Sequence, residues 1–221
     1  MGTTIGDILG IAIGVAISPL PIIALILVLL SRNGRTNSLA FSLGWVLGLV
    51  ALETIVILID PTSRQDGAAD SGGLLQLLIG AVFLILAWKQ WQQRPRPGEE
   101  PTLPHWMASL DGSTPGRCVG IGFLLGTLNP KNLGLGIAAG TSIATADLPG
   151  GQQAIVLAVY VLIASVSIIV PTAAVNIAGD RARPALEALR PWLVQNNAII
   201  MTILFTVLGL NVLGKGLAGT F

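Results

Sequence analysis

The chain has 221 residues, of which 52% are hydrophobic and only 10% charged, against about 25% charge in an ordinary soluble domain. With a mean hydropathy of +0.78 it needs an apolar solvent, which excludes a soluble globular fold. A net charge of +1 argues against nucleic acid as a partner, the single cysteine (Cys118) excludes an internal disulfide, and the single histidine (His105) excludes a multi-histidine metal site.

Six apolar stretches, near 8–30, 38–59, 73–91, 117–141, 152–176 and 197–217, are long enough to be membrane-spanning helices. Roughly 20 helical residues cross a hydrocarbon core of about 30 Å. No Lys or Arg precedes the first stretch, and that stretch is too long for a signal core, so no cleavable signal is expected.

The first stretch is interrupted by Ser18-Pro19-Leu20-Pro21. Helical rise from Ile8 puts Ser18 roughly 15 Å deep, close to the bilayer midplane. Each proline removes an amide donor and clashes with the preceding turn. The freed carbonyls cannot face lipid, so they must meet protein, water or substrate. The second stretch carries a small-residue stripe, Gly44, Gly48 and Ala51, suited to close helix packing. On another face lie Ser42, Trp45, Leu49 and Glu53. Glu53 is the only acid well inside a span, and three readings stay open: counter-ion to Lys131, proton carrier, or a group near the outer surface. The third stretch runs into Gln92–Gly116, a connector with five prolines.

The fourth stretch is interrupted by Asn129-Pro130-Lys131-Asn132. A shift of 111 residues, from 19 to 130, superposes the two proline breaks. Each break opens a group of three spans. Three is odd, so the second group crosses the membrane in the opposite sense, which is an inverted repeat of the kind found in secondary transporters. Lys131 at the centre of a span costs about 2.5–3.5 kcal/mol on the insertion scale and needs a partner or a wet cavity. It reads either as a holder of an anionic group or a proton-coupling residue, or as half of a structural ion pair. Asn129 and Asn132 are placed to hydrogen-bond a ligand or to cap half-helices. Tyr160, Ser165 and Ser167 in the fifth stretch, and Thr202, Thr206 and Asn211 in the sixth, are weaker candidates, because such hydroxyls often bond their own backbone. Asp180–Gln195, with Ala185, Leu186, Leu189 and Leu193 at helical spacing, suggests a surface helix rather than a plain connector.

Basic residues alternate by loop. Arg32 and Arg35; Lys89, Arg94, Arg96 and Arg117; and Arg181, Arg183 and Arg190 fall on one side, against Arg64 and Lys215 on the other. The positive-inside rule then places both termini outside and the Pro-rich connector in the cytoplasm. Trp88, Trp91, Trp106 and Trp192 fall at that same level, as an interfacial belt does. The expected fold is therefore an all-α integral membrane protein of six helices. It divides into a first three-helix repeat (1–91), a cytoplasmic linker (92–116) and a second, inverted repeat (117–221). No catalytic set, metal cluster or phosphate-binding glycine loop is visible, so neither an enzyme nor a cofactor is expected.

Several segments carry a family resemblance: GVAISPLPIIALILVLLS near the N-terminus, RPRPGEEPTLP in the centre, GFLLGTLNPKNL, and the closing LGKGL. Together they resemble the GAP family of glycopeptidolipid- or sulfolipid-addressing membrane proteins, similar in layout to the LysE exporter superfamily. The resemblance implies export across a bacterial inner membrane, with a cell-envelope glycolipid or its precursor as cargo and membrane lipid as surroundings. It carries over only Ser18, Pro19, Pro21, Asn129, Pro130, Lys131 and Asn132, to which the residue chemistry adds Glu53. The expected function is a transporter of a small or amphiphilic substrate through a midplane site at the two breaks. A LysE-like amino-acid or cation exporter and a non-transporting scaffold for envelope-lipid assembly are the alternatives, and the sequence admits a homo-oligomer.

Overall fold

The computed structural model describes residues 1–59, 71–96, 99, 104–146 and 148–220, with the backbone alone for 71–76, 105, 108, 180, 215 and 218–220. The sequence readings of Arg64 and of the His105 and Lys215 side chains lie outside the described residues. Within them every regular element is helical: α1 (Gly2–Ala16), α2 (Pro19–Leu30), α3 (Gly34–Ile59), α4 (Ser71–Gln92), α5 (His105–Ala108), α6 (Pro115–Thr127), α7 (Pro130–Ala144), α8 (Gly150–Ala164), α9 (Val166–Ala178), a 3-10 turn (Gly179–Ala182) and α10 (Arg183–Thr220). Each predicted apolar stretch lies in helix. Among the described residues α3 and Arg183–Gly214 are each long and apolar enough to cross a membrane. Two bent pairs, α1–α2 at 53° and α8–α9 at 62°, bring the number to as many as four if each pair is one broken span. The protein is an all-helical membrane protein.

The breaks follow from local chemistry. Ser18 is extended (φ −122°, ψ 92°), because the residue before a proline is pushed out of the helical region. Pro19 and Pro21 then both fall in the first turn of α2, where a missing N–H deprives the helix of nothing. The chain therefore stops one helix and starts another instead of merely kinking. Asn129 repeats the device: it is extended (φ −62°, ψ 121°), precedes Pro130, and its side chain accepts from the Lys131 N–H at 3.1 Å, a side-chain N-cap. The bend at Ser165 was not expected, since no proline marks it; Pro171 lies farther on, inside α9. Of Asp180–Gln195, expected as a surface helix, residues 180–182 belong to the 3-10 turn and 183–195 are continuous with the last span as α10, with Pro191 inside it.

Two compact units form: Met1–Thr62 with Leu103–Pro191, and Ser63–Thr102 with Trp192–Phe221. In the first, α3 and α6 cross through a double glycine contact. A Cβ on Gly44 would strike the Val119 carbonyl, and one on Gly122 the Phe41 carbonyl. A Cβ on Gly48 would come within 2.7 Å of the Phe123 carbonyl, and one on Gly126 within 3.0 Å of the Trp45 carbonyl. Small residues four apart on both helices let the backbones touch, as the Gly44–Gly48 stripe predicted. In the second unit Phe83 stacks on Phe205 with centroids 5.9 Å apart. Gly80 and Gly209 bring α4 against α10 there.

Candidate functional site at the helix breaks

Breaking α1 leaves the carbonyls of its last turn without helical donors. The structure accounts for each of them. Ile13 O accepts from the Ile17 N–H at 3.0 Å. Lys131 Nζ donates to Gly14 O at 2.6 Å, to Ile17 O at 2.9 Å and, more weakly, to Val15 O at 3.4 Å. Ala16 O accepts from the Ser18 N–H at 2.9 Å and from Ser167 Oγ at 2.7 Å. Three ammonium N–H groups thus meet three carbonyls, and Lys131 is fully buried. Hydrogen bonds from a charged donor contribute about 1.5–3 kcal/mol each. The negative end of the α1 dipole adds to that. Together these offset the about 2.5–3.5 kcal/mol that a central lysine costs, with no acid required.

Asn132, also fully buried, fastens the second break. Its Nδ2 donates to Leu125 O at 3.0 Å, and its Oδ1 faces Ser18 Oγ at a long 3.5 Å. Ser18, Lys131 and Asn132 are therefore brought together. Pro19 and Pro21 are buried with them at the head of α2. Pro130 is exposed and Asn129 half-buried, and Asn129 acts locally as the α7 cap.

Glu53 stands apart from this cluster. Both carboxylate oxygens are buried, and neither has a hydrogen-bond partner, so the structure does not pair it with Lys131. The carboxylate occupies space left by two glycines of α7. A Cβ on Gly136 would lie 2.9 Å from its Oε1, and one on Gly140 3.0 Å from its Oε2. By helical rise that is roughly 7–13 Å along α7 from Lys131. Tyr160 of α8 acts on the same carboxylate electrostatically, yet its buried hydroxyl completes no hydrogen bond there. Trp45 Nε1 and Ser165 Oγ are likewise buried without partners. Asn37 Oδ1 is a fifth such group in the same unit, and because buried polar atoms are seldom left so, this interior is unusual.

Ser167, a weaker candidate from sequence, donates to Ala16 O, and Gly136 and Gly140, which carry no polar side chain to mark them, make room for Glu53. Glycines at i and i+4 opposite a span that carries an acid were the available signal. Cys118 is buried. Trp88, Trp91, Trp106 and Trp192 are all exposed, whereas Trp45 is fully buried. Among the described residues no group of His, Cys, Asp and Glu could hold a metal ion.

No curated protein and no solved structure matches the chain. A family profile does, over residues 8–218, nearly its whole length; its description is Sap, sulfolipid-1-addressing protein. The chain belongs to the sulfolipid-1-addressing protein family.

Proposed function

We infer that the protein moves an amphiphilic cell-envelope lipid, or its precursor, outward across a bacterial inner membrane by alternating access. The family description supports the lipid. The reading rests on one observation: an ammonium from one half of the chain holds the broken end of the first helix in the other half. Such a clasp has a competitor. An anionic group on the cargo offers Lys131 a full charge in place of carbonyl dipoles. Cargo with that preference shifts the equilibrium towards an unclasped state, as differential affinity requires. Ser18, Asn129 and Asn132 line the breaks that Pro19, Pro21 and Pro130 create. Glu53, unpaired and buried, serves charge or proton coupling.

Six spans in two inverted repeats, 1–91 and 117–221 joined by the 92–116 linker, fit this reading, with both termini outside. The compact units support it. One takes the first two spans of both halves and the other takes the third span of both, as a pseudo-twofold arrangement would.

Leaflet-resolved lipid analysis of a deletion strain tests the proposal. Anionic envelope lipid should accumulate in the inner leaflet and clear when the wild-type chain, but not Lys131→Met, is restored. Sensitivity to amino acids or metals with envelope lipids unchanged would point to a LysE-like exporter instead. Full rescue by chains altered at both Lys131 and Glu53 would leave only the scaffold reading.

A further inference from the structure

At the other end of α2 and α9 from the clasp lies a cleft of about 490 Å³. It is built where α2 gives way to α3 and where α9 ends. Ser31, Arg32, Asn33, Arg35 and Thr36 form one wall, and Gly179 and Arg183 the other. Among the described residues no acid lines it. Arg183 is anchored by donating Nη2 to Leu30 O at 3.2 Å. Gly179 has φ +60°, a conformation that favours glycine. A Cβ there would lie 3.0 Å from Arg35 Nη2, so the glycine both ends α9 and admits the guanidinium. Arg32 and Arg35 are exposed to the opening. The start of α3 and the ends of α2 and α9 all lie in its walls, so the helix dipoles offset one another and the arginines carry the charge.

The surroundings are apolar. Leu39 (55% exposed) follows Thr36 by one turn of α3, and Ile177 (88%) precedes Gly179 by two residues at the end of α9. A basic cleft bordered by exposed apolar residues suits a molecule with an anionic head and acyl chains. Arginine forks match the paired oxygens of phosphate and sulfate esters.

We propose that this cleft binds the phosphate- or sulfate-ester headgroup of a membrane lipid, with Arg32 and Arg35 as its main contacts. Binding here requires no transport step, so the site stands or falls separately from the exporter reading.

Calorimetric titration of the detergent-purified full chain tests it, with dihexanoyl phosphatidic acid, dihexanoyl phosphatidylcholine and inorganic phosphate as probes. Phosphatidic acid should bind about tenfold or more tighter than either of the others. The pair Arg32→Gln and Arg35→Gln should weaken it about tenfold or more. Because these arginines also carry the topology signal, the pair Arg32→Lys and Arg35→Lys keeps the charge but loses the fork, and should still bind several-fold less well. Lys89→Ala, an exposed cation outside the cleft, should bind as the wild type does. Undiminished binding by the Gln pair, or an equal loss in Lys89→Ala, would overturn the site. Inorganic phosphate binding as tightly as phosphatidic acid would overturn its assignment to a lipid.

Discussion

Lys131 and Gly14 lie 117 residues apart in sequence, and Nζ of one donates to the carbonyl of the other at 2.6 Å. The contact lets a membrane helix end in mid-course without exposing its carbonyls. Among the described residues it has no counterpart at the break before Pro130. Shifted by 111 residues, Lys131 falls on Leu20, and the second break is fastened by Asn132 from within its own half. The two proline breaks are thus held differently, the first by a lysine far away in sequence and the second by a near neighbour.

Lys131→Met should destabilise the protein, although methionine is the better residue for lipid. The substitution saves about 2.5–3.5 kcal/mol of insertion cost. It leaves three carbonyls unmet, each worth several kcal/mol in an apolar interior. The loss exceeds the gain, and a net drop of about 3 kcal/mol is expected in denaturant-unfolding measurements in micelles. Ser167→Ala should cost only about 1 kcal/mol, because Ala16 O retains the Ser18 N–H.

The α3–α6 crossing should be equally intolerant. Gly122→Ala places a methyl against the Phe41 carbonyl, backbone that cannot turn aside, and should cost about 1–3 kcal/mol. Gly120→Ala, on the same helix with nothing within 4 Å, should be neutral or stabilising by roughly 0.5–1 kcal/mol through helix propensity. Thermal melts of the two variants side by side check the contrast.

How much of this was legible beforehand differs by residue. The break at Ser18 could be read because proline acts through covalent geometry, which needs no tertiary context. That Lys131 needs a partner or a wet cavity followed from its place inside an apolar stretch. Its partner did not, since the carbonyls of Gly14 and Ile17 carry no side-chain signature, and only the packing of α7 against α1 selects them. The bend at Ser165 escaped for the same reason. A serine in a span is usually silent, and the 62° change of direction has no local marker. The Gly44–Gly48 stripe was visible, but its match with Gly122 and Gly126 became apparent only when the helices crossed.

Glu53→Gln should leave the fold intact and its melting temperature at or above that of the wild type. An amide removes any cost of burying an unpaired charge and brings a donor towards Tyr160. Lipid movement should nonetheless fail in reconstituted vesicles, because an amide, unlike a carboxyl group, neither takes up nor releases a proton at physiological pH. A variant that melts earlier yet transports normally would show Glu53 to be structural.

Cys118, buried beside the α3–α6 crossing, should resist thiol reagents in the folded protein. Maleimide labelling in mild detergent should stay below about a tenth of that after denaturation in hot detergent, as expected for an inert buried cysteine. Ready labelling of the native protein would mean that this seam opens.

The most direct measurement of the central claim is outward movement of an anionic envelope lipid by purified protein in vesicles, comparing the wild type with Lys131→Met and Lys131→Arg, each first shown to be folded and monodisperse. If the clasp on the Gly14 and Ile17 carbonyls is the element that cargo displaces, the wild type moves lipid, the methionine variant does not, and the arginine variant, still cationic, keeps part of the rate. Equal rates in the wild type and the methionine variant would contradict the account, since the ammonium would then be a fixed structural cap and nothing more.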